Sequence, residues 1–258
     1  MAAWLDSSRH LTAELGPVSW TFVAAERVRD GAPRMVAAAT FADGAASLQE
    51  DIRQFRTSEH LPSEAALVYW PARDDRGVAA LGSRSHGTVS LPKARVIRER
   101  VAPFVRGGGY VRDVLLPHEA VGRLVALGGW SSACVLVMDL SVACLAVVEA
   151  GVVRASYLGW SLSPTDEGES SRLLTRYQLA ARLVPNLRDS FGRAPNARMA
   201  VCGRFPDLRS AMLPVVEELD REVDVLDAAL VGRPGEDAAD PDDIIGRQLA
   251  WAVAAGGY

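Results

Sequence analysis

Two acidic residues stand where apolar, extended stretches stop, and each is followed by a leucine and a small residue: Glu14-Leu15-Gly16 and Asp139-Leu140-Ser141. Asp139 interrupts a run, 133–149, that is otherwise built almost wholly from Val, Leu, Ala and Cys. A carboxylate in such a run is costly to bury unless it is paired. Asp139 is therefore expected to be partnered by backbone N–H groups of its own turn or by a cation. Other chemistry is harder to assemble. The four histidines, His10, His60, His86 and His118, are scattered, and no nucleophile motif accompanies them. Cys134, Cys144 and Cys202 lie inside apolar strand patterns, without metal-like spacing. They read as small buried hydrophobes in a reducing compartment. No catalytic residue and no metal ligand is assigned.

The elements that must position the two acids form a repeated unit. Strands are expected at 133–140, 142–149 and 152–160, because strands buried on both faces read as continuous apolar runs and Ala150-Gly151 marks a turn. The same order opens the chain, with strands over 10–20, 21–29 and 35–41 and a turn at Asp30-Gly31. Two copies of acid, hairpin and third strand point to two related α/β lobes. Between them, Leu48, Ile52 and Phe55 mark an amphipathic helix over 45–56, and 65–70 is a strand stopped by Pro71. Residues 72–91 are polar and Gly-rich. Pro92 opens a helix over 92–105 that carries Arg95, Arg98 and Arg100. A strand over 110–116 and a helix over 118–127 follow. Beyond the second hairpin come a helix over 168–191 that Pro185 kinks or splits, a strand over 198–205, a helix over 207–219, a strand over 223–226, an acidic loop and a last helix over 242–255. The expected units are a first lobe at 1–91, a second lobe at 92–239, and a closing helix at 240–258 that packs back on the first lobe.

In element order this chain resembles the actin-like ATPase superfamily, which includes sugar kinases and FtsA, and within it the PilM family of type IV pilus assembly. Glu14-Leu15-Gly16-Pro17-Val18-Ser19 stands where that family has Asp-Ile-Gly-Ser-Ser-Ser. The leader with Trp4, the helix containing Ser171-Arg172-Leu173, the strand Met199-Ala-Val-Cys-Gly203-Arg204 and the closing helix follow in the family's order. The resemblance implies a two-lobed fold made from a duplicated RNase H-like unit, with mixed sheets flanked by helices. The subdomain that the family inserts near 72–91 is reduced here, which puts filament formation in doubt.

The resemblance also implies a nucleotide cleft, with ATP and Mg as cofactors if the site is active. Its residues would be Glu14, Gly16, Ser19, Asp139, Ser141 and Gly203. A phosphate cradle needs Gly because backbone N–H groups must approach the phosphate without an intervening Cβ. Here Pro17 removes a donor, Glu14 replaces the family's Asp, Ser141 replaces a Gly, and Arg204 replaces the second Gly of the base loop. The cleft thus reads as vestigial, with no cofactor expected. RNase H-like nucleases share the lobe fold, but they need a carboxylate cluster within one lobe, which this sequence lacks.

By the same resemblance the partner is the cytoplasmic peptide of a single-span membrane protein of the PilN type. Trp4, Arg95 and Arg98 are the candidate contacts. Trp4 either anchors a partner or folds back on its lobe, and the Arg-rich face is either a docking surface or an ordinary solvated helix face. The function implied is that of a cytoplasmic scaffold of a pilus or related secretion machine, peripheral at the inner membrane through its partner. The alternatives are an active actin-like ATPase and the cytoplasmic platform component of a type II secretion system. Homo-oligomerisation is left open.

Composition narrows the classes. With 258 residues, 49% of them hydrophobic and 23% charged, the chain can bury a substantial core. A net charge of -4 argues against a nucleic-acid protein driven by a basic surface. Asp6 and Arg9 lie early in the chain, and no signal peptide is expected. Asp139 splits the best candidate for a membrane span.

Overall fold

The computed structural model describes residues 7–16, 19–28, 33–70, 94–139, 142–159, 169–204, 208–226 and 248–256. Among them the order is β1 (Ser7–Leu15), β2 (Ser19–Val28), β3 (Arg34–Ala42), α1 (Leu48–Ser58), β4 (Glu64–Tyr69), α2 (Ala94–Arg106), β5 (Tyr110–Leu115), α3 (Pro117–Leu127), β6 (Ser132–Met138), β7 (Val142–Glu149), β8 (Val152–Gly159), α4 (Glu169–Arg193), β9 (Arg198–Gly203), α5 (Leu208–Leu219), β10 (Asp224–Val225) and α6 (Gln248–Gly256). The strands form two five-stranded sheets, ordered β3-β2-β1-β4-β5 and β10-β9-β6-β7-β8. Each is mixed. β1 pairs antiparallel with β2 and parallel with β4, and β6 pairs antiparallel with β7 and parallel with β9.

Alternation along the strands sorts side chains between layers. Leu11, Ala13 and Leu15 of β1 pack with Leu48 and Ile52 of α1 and Val101 and Phe104 of α2 on the outer face of the first sheet. Cys134, Leu136 and Met138 of β6 pack with Leu179, Leu183 and Leu187 of α4 and Met212 and Val215 of α5 outside the second sheet. Between the sheets, Ala66, Val68 and Trp70 meet α3, the inward face of β6 and the Leu249, Ala252 and Val253 side of α6 in one core. Helix α6 also seats Trp251 and Ala254 against Val23, Ala25 and Met35 of the first sheet. The inward faces of β1 and β6 carry Glu14 and Asp139 into this region, where the two lobes meet.

Several expectations change. Strand β5 pairs in parallel with β4, and α2 packs on α1, so 94–115 belongs with the first sheet. The change of sheet falls around α3 and not at residue 91. Helix α4 runs unbroken through Pro185 over 25 residues. Its buried stripe, Leu179, Leu183 and Leu187, spans the proline, so packing holds the helix together where one backbone hydrogen bond is lost. The strand expected at 198–205 ends at Gly203. The expected remnant at 72–91, Trp4, Pro17, Ser141, and the acidic loop with the first residues of the last helix lie outside the described residues.

Candidate functional site between the lobes

The site is built from the ends of four strands. In the first lobe the β1–β2 turn closes with the Gly16 N–H donating to the Ser19 carbonyl at 3.0 Å. In the second the Asp139 N–H donates to the Val142 carbonyl at 2.8 Å. The parallel neighbours β4 and β9 end beside these turns, so that Leu15 faces Tyr69 and Met138 faces Gly203. The next residues in the chain, Trp70 and Arg204, are thereby delivered to the cleft.

Strand pairing also revises how the repeat is aligned. Leu15 pairs with Trp20 and Met138 with Ala143 across hairpins of equal length. The structural counterpart of Asp139 is therefore Gly16, and Glu14 stands two residues earlier on its strand. The sequence alignment matched acid to acid, but hairpin register is set by the turn and the pairing around it.

Arg204 joins these parts. Its Nη1 donates to Ser19 Oγ at 2.6 Å and to Thr21 Oγ1 at 3.2 Å, and reaches the Ser19 carbonyl at 3.5 Å. Its Nη2 donates to Asp139 Oδ2 at 2.6 Å and lies 3.7 Å from Glu14 Oε1. The expectation that a cation partners Asp139 is met, and the cation is a side chain of the same protein. The guanidinium lies against the first-lobe turn. A Cβ added to Gly16 would stand 1.8 Å from Nη2.

Gly203 makes this placement possible. Its φ is +119°, and a Cβ there would come within 2.1 Å of the Met138 carbonyl oxygen. Only glycine has both the left-handed freedom and the clearance for that approach.

Glu14 is buried, at 3% exposure, and accepts a hydrogen bond from Trp70 Nε1 at 2.7 Å. Burial pushes its pKa above the ordinary 4.5, while Arg204 and the Trp70 N–H pull it back. The Ala250 backbone N–H, in the first turn of α6, also favours its charged form. Arg100 on α2 braces the same turn from outside. It donates to the Gly16 carbonyl and, at 3.2 Å, to the Trp70 carbonyl, and it stacks 5.2 Å from the Tyr69 ring centre.

Of the expected cleft residues, the structure brings together Glu14, Gly16, Ser19, Asp139 and Gly203, while Ser141 is not described. Sequence reading missed Trp70, Thr21 and Arg100 as parts of the site, and took Arg204 only as a lost glycine. The signal for Trp70 and Arg204 was their place one residue past strands that run parallel to the acid-bearing strands. Arg95 and Arg98 stay on the surface of α2. Arg95 pairs with Glu99 one turn on at 2.7 Å, and Arg98 bonds the Ala94 carbonyl. Arg100 turns inward, so the three arginines do not make one face. A cleft of about 320 Å³ runs beside α2, lined by Asp43, Gln49, Glu99, Arg100 and Arg106 among others.

A phosphate chain and its magnesium do not fit this set. The space beside the first-lobe turn holds a guanidinium. The Glu14 carboxyl is bonded to an indole, and the Asp139 carboxylate is committed to Arg204. The remaining functional groups behave as packing. Burial pushes the Cys134 and Cys144 thiols up to about 12 and raises Cys202 as well, so none is an available thiolate. His118, half-buried, pairs with the hydroxyl of the buried Tyr157 at 2.9 Å. Among the described residues no cluster of three metal-type ligands occurs, and no helix is long and apolar enough to cross a membrane.

No protein-family model matches the chain in sequence, and no curated protein does. Solved structures do match in fold. The ethanolamine utilization protein EutJ of Carboxydothermus hydrogenoformans aligns with a TM-score of 0.58 at 13% identity, over 97% of this chain and 90% of that one. A PilM–PilN type IV pilus biogenesis complex gives 0.59 at 12% identity, over 96% of each chain. Component A of the (R)-2-hydroxyglutaryl-CoA dehydratase of Acidaminococcus fermentans gives 0.54 at 9% identity, over 96% of each chain. With two mixed five-stranded sheets flanked by helices, this chain matches them in fold: it has the two-lobed actin-like ATPase fold.

Proposed function

We propose that this protein is an actin-like scaffold whose nucleotide cleft has been converted into a structural junction. It acts at the cytoplasmic base of a type IV pilus or a related secretion machine. There it binds the cytoplasmic peptide of a PilN-type membrane protein. The observation that carries the loss of nucleotide is Arg204: its guanidinium lies against Gly16, bonded to Ser19 and Asp139, in the place where a phosphate would need bare backbone. The PilM–PilN complex among the structures of like fold supports the choice of partner.

Calorimetry with Mg-ATP tests the first part. The expected result is no saturable heat in the micromolar range, and a clear binding isotherm would favour an active ATPase instead. Capture of a PilN-type peptide tests the second. If Arg95 and Arg98 contact it, Arg95→Glu/Arg98→Glu weakens capture while the melting temperature stays put, since both side chains lie on the surface. Full retention by the folded double variant removes this surface and leaves Trp4 and the edge of the first sheet to be tested.

A further inference from the structure

The groups around Arg204 have a polarity opposite to that of a phosphate cradle. Nη1 and Nη2 meet Ser19 Oγ, the Ser19 carbonyl, Thr21 Oγ1, Asp139 Oδ2 and, at longer range, Glu14 Oε1. Every one of these atoms is an oxygen. A guanidinium only donates, so both hydroxyls must accept from it. The Thr21 proton then has an acceptor 3.3 Å away in Thr40 Oγ1, on the neighbouring strand β3. The acceptors come from both lobes. Ser19, Thr21 and Glu14 belong to the first sheet and Asp139 to the second, with Nη1 serving one side and Nη2 reaching both. Gly16 leaves the clearance that a planar fork requires, and the Arg204 side chain is 15% exposed. A forked donor satisfied on both sides is what distinguishes such a site from a chance surface ion pair.

We propose that the lobe junction is a guanidinium-binding site, occupied in cis by Arg204, and that this occupancy fixes the placement of the two turns against each other. The proposal rests on the reading that the cleft takes no nucleotide, and it adds what the cleft takes instead. Arg204 performs the bridging that a bound ligand performs between two lobes, without a ligand that can leave.

The test is chemical rescue of Arg204→Ala. Thermal unfolding and hydrogen exchange at the two turns are measured with low-millimolar guanidinium chloride, against the same concentrations of sodium chloride. The expected result in the variant is a lowered melting temperature and faster exchange at the Gly16 and Asp139 amides, which close the two turns, both largely restored by guanidinium along a saturating curve and not by sodium. Asp139→Asn added to Arg204→Ala weakens that rescue several-fold. An unsaturable response equal to that of sodium overturns the proposal, as does wild-type exchange in Arg204→Ala. Saturable ATP binding gained by Arg204→Ala also overturns it, because the bare site would then be an anion site. Arg204→Lys covers the case in which the alanine variant does not fold. A lysine keeps the charge but cannot span Ser19 and Asp139, so exchange at the turns rises, and unchanged exchange overturns the proposal. ATP binding by the wild-type protein is a separate outcome: it removes the scaffold reading even if rescue succeeds.

Discussion

The two hairpin turns of this molecule are built on one plan and filled in opposite ways. In the first lobe the turn begins at Gly16, and the neighbouring parallel strand delivers Trp70, an apolar ring with one N–H. In the second the turn begins at Asp139, and the parallel strand delivers Arg204, a permanent cation. Gly16 offers space and Arg204 fills it; Asp139 offers charge and the same guanidinium pairs with it. Neither lobe is complete alone. Glu14, the first lobe's acid, is held by an indole and set back on its strand, so that the two acids differ in surroundings as well as in position. Two turns of one plan thus make a complementary pair.

The largest expected effect separates two glycines that both sit under a close approach. At Gly203 the obstacle to a Cβ is the Met138 backbone at 2.1 Å, and φ is +119°. Gly203→Ala must push β9 from β6, and a loss of about 3–5 kcal/mol is expected in chemical denaturation. At Gly16 the obstacle is the far end of the Arg204 side chain. Gly16→Ala displaces a guanidinium and no backbone, with a loss of about 1–3 kcal/mol. Equal losses would break the distinction between a rigid approach and a yielding one.

Asp139→Leu comes next. It deprives Arg204 of its charged acceptor at 2.6 Å, but leaves Ser19 and Thr21 in place and a partly solvated guanidinium. The loss is expected at about 1–3 kcal/mol, below that of breaking a fully buried pair. Because Gly16→Ala disturbs the same guanidinium, the two substitutions together should cost less than their sum. An additive double variant would mean that the two turns are not coupled through Arg204.

The first lobe has its own brace. Arg100, with its side chain 16% exposed, holds the Gly16 and Trp70 carbonyls from α2. Arg100→Ala should lower stability by about 1–2 kcal/mol, whereas Arg95→Ala, on the exposed side of the same helix, should leave the melting temperature where it is. Comparable melting temperatures for the two variants would show the Gly16 turn to be held without α2.

Much of the scaffold was legible because it is written in periodic patterns. The continuous apolar runs of 133–149 and 65–70 marked β6, β7 and β4, whereas the strand expected over 10–20 turns at Gly16, so that Ser19 and Trp20 already belong to β2. The acids were legible as costs that needed a partner. What was not legible is set by contacts distant in sequence. Arg204 and Ser19 are 185 positions apart, and Trp70 and Glu14 are 56 apart. The resemblance places Arg204 where the family has a glycine, but the use made of the arginine could not be read, because its direction depends on β9 lying beside β6. Register misled for a similar reason. Glu14-Leu15-Gly16 and Asp139-Leu140-Ser141 match in residue type, yet the turns begin at Gly16 and Asp139, since cross-strand pairing decides where a hairpin closes. Pro185 did not split α4, because a long buried stripe outweighs one lost backbone hydrogen bond.

The smallest effect at neutral pH, and the finest test of the difference between the two acids, is that of Glu14→Gln. Burial favours the protonated carboxyl, and raises its folded pKa above the 4.5 expected of an unfolded chain. Between these two values the folded protein keeps a proton that the unfolded chain has released, so stability declines as pH rises through the window and is fully retained below it. Glutamine has the same shape, carries no charge, and keeps a carbonyl to accept the Trp70 N–H. The stability of Glu14→Gln relative to wild type should therefore be level below pH 4.5 and then increase with pH in favour of the variant. The measurement is a series of denaturation midpoints for both proteins across that range. A difference of the opposite sign, with wild type gaining on the variant as pH rises, would make Glu14 an ionised partner of Arg204 at 3.7 Å. The first lobe would then share the cation with Asp139 rather than merely give it room.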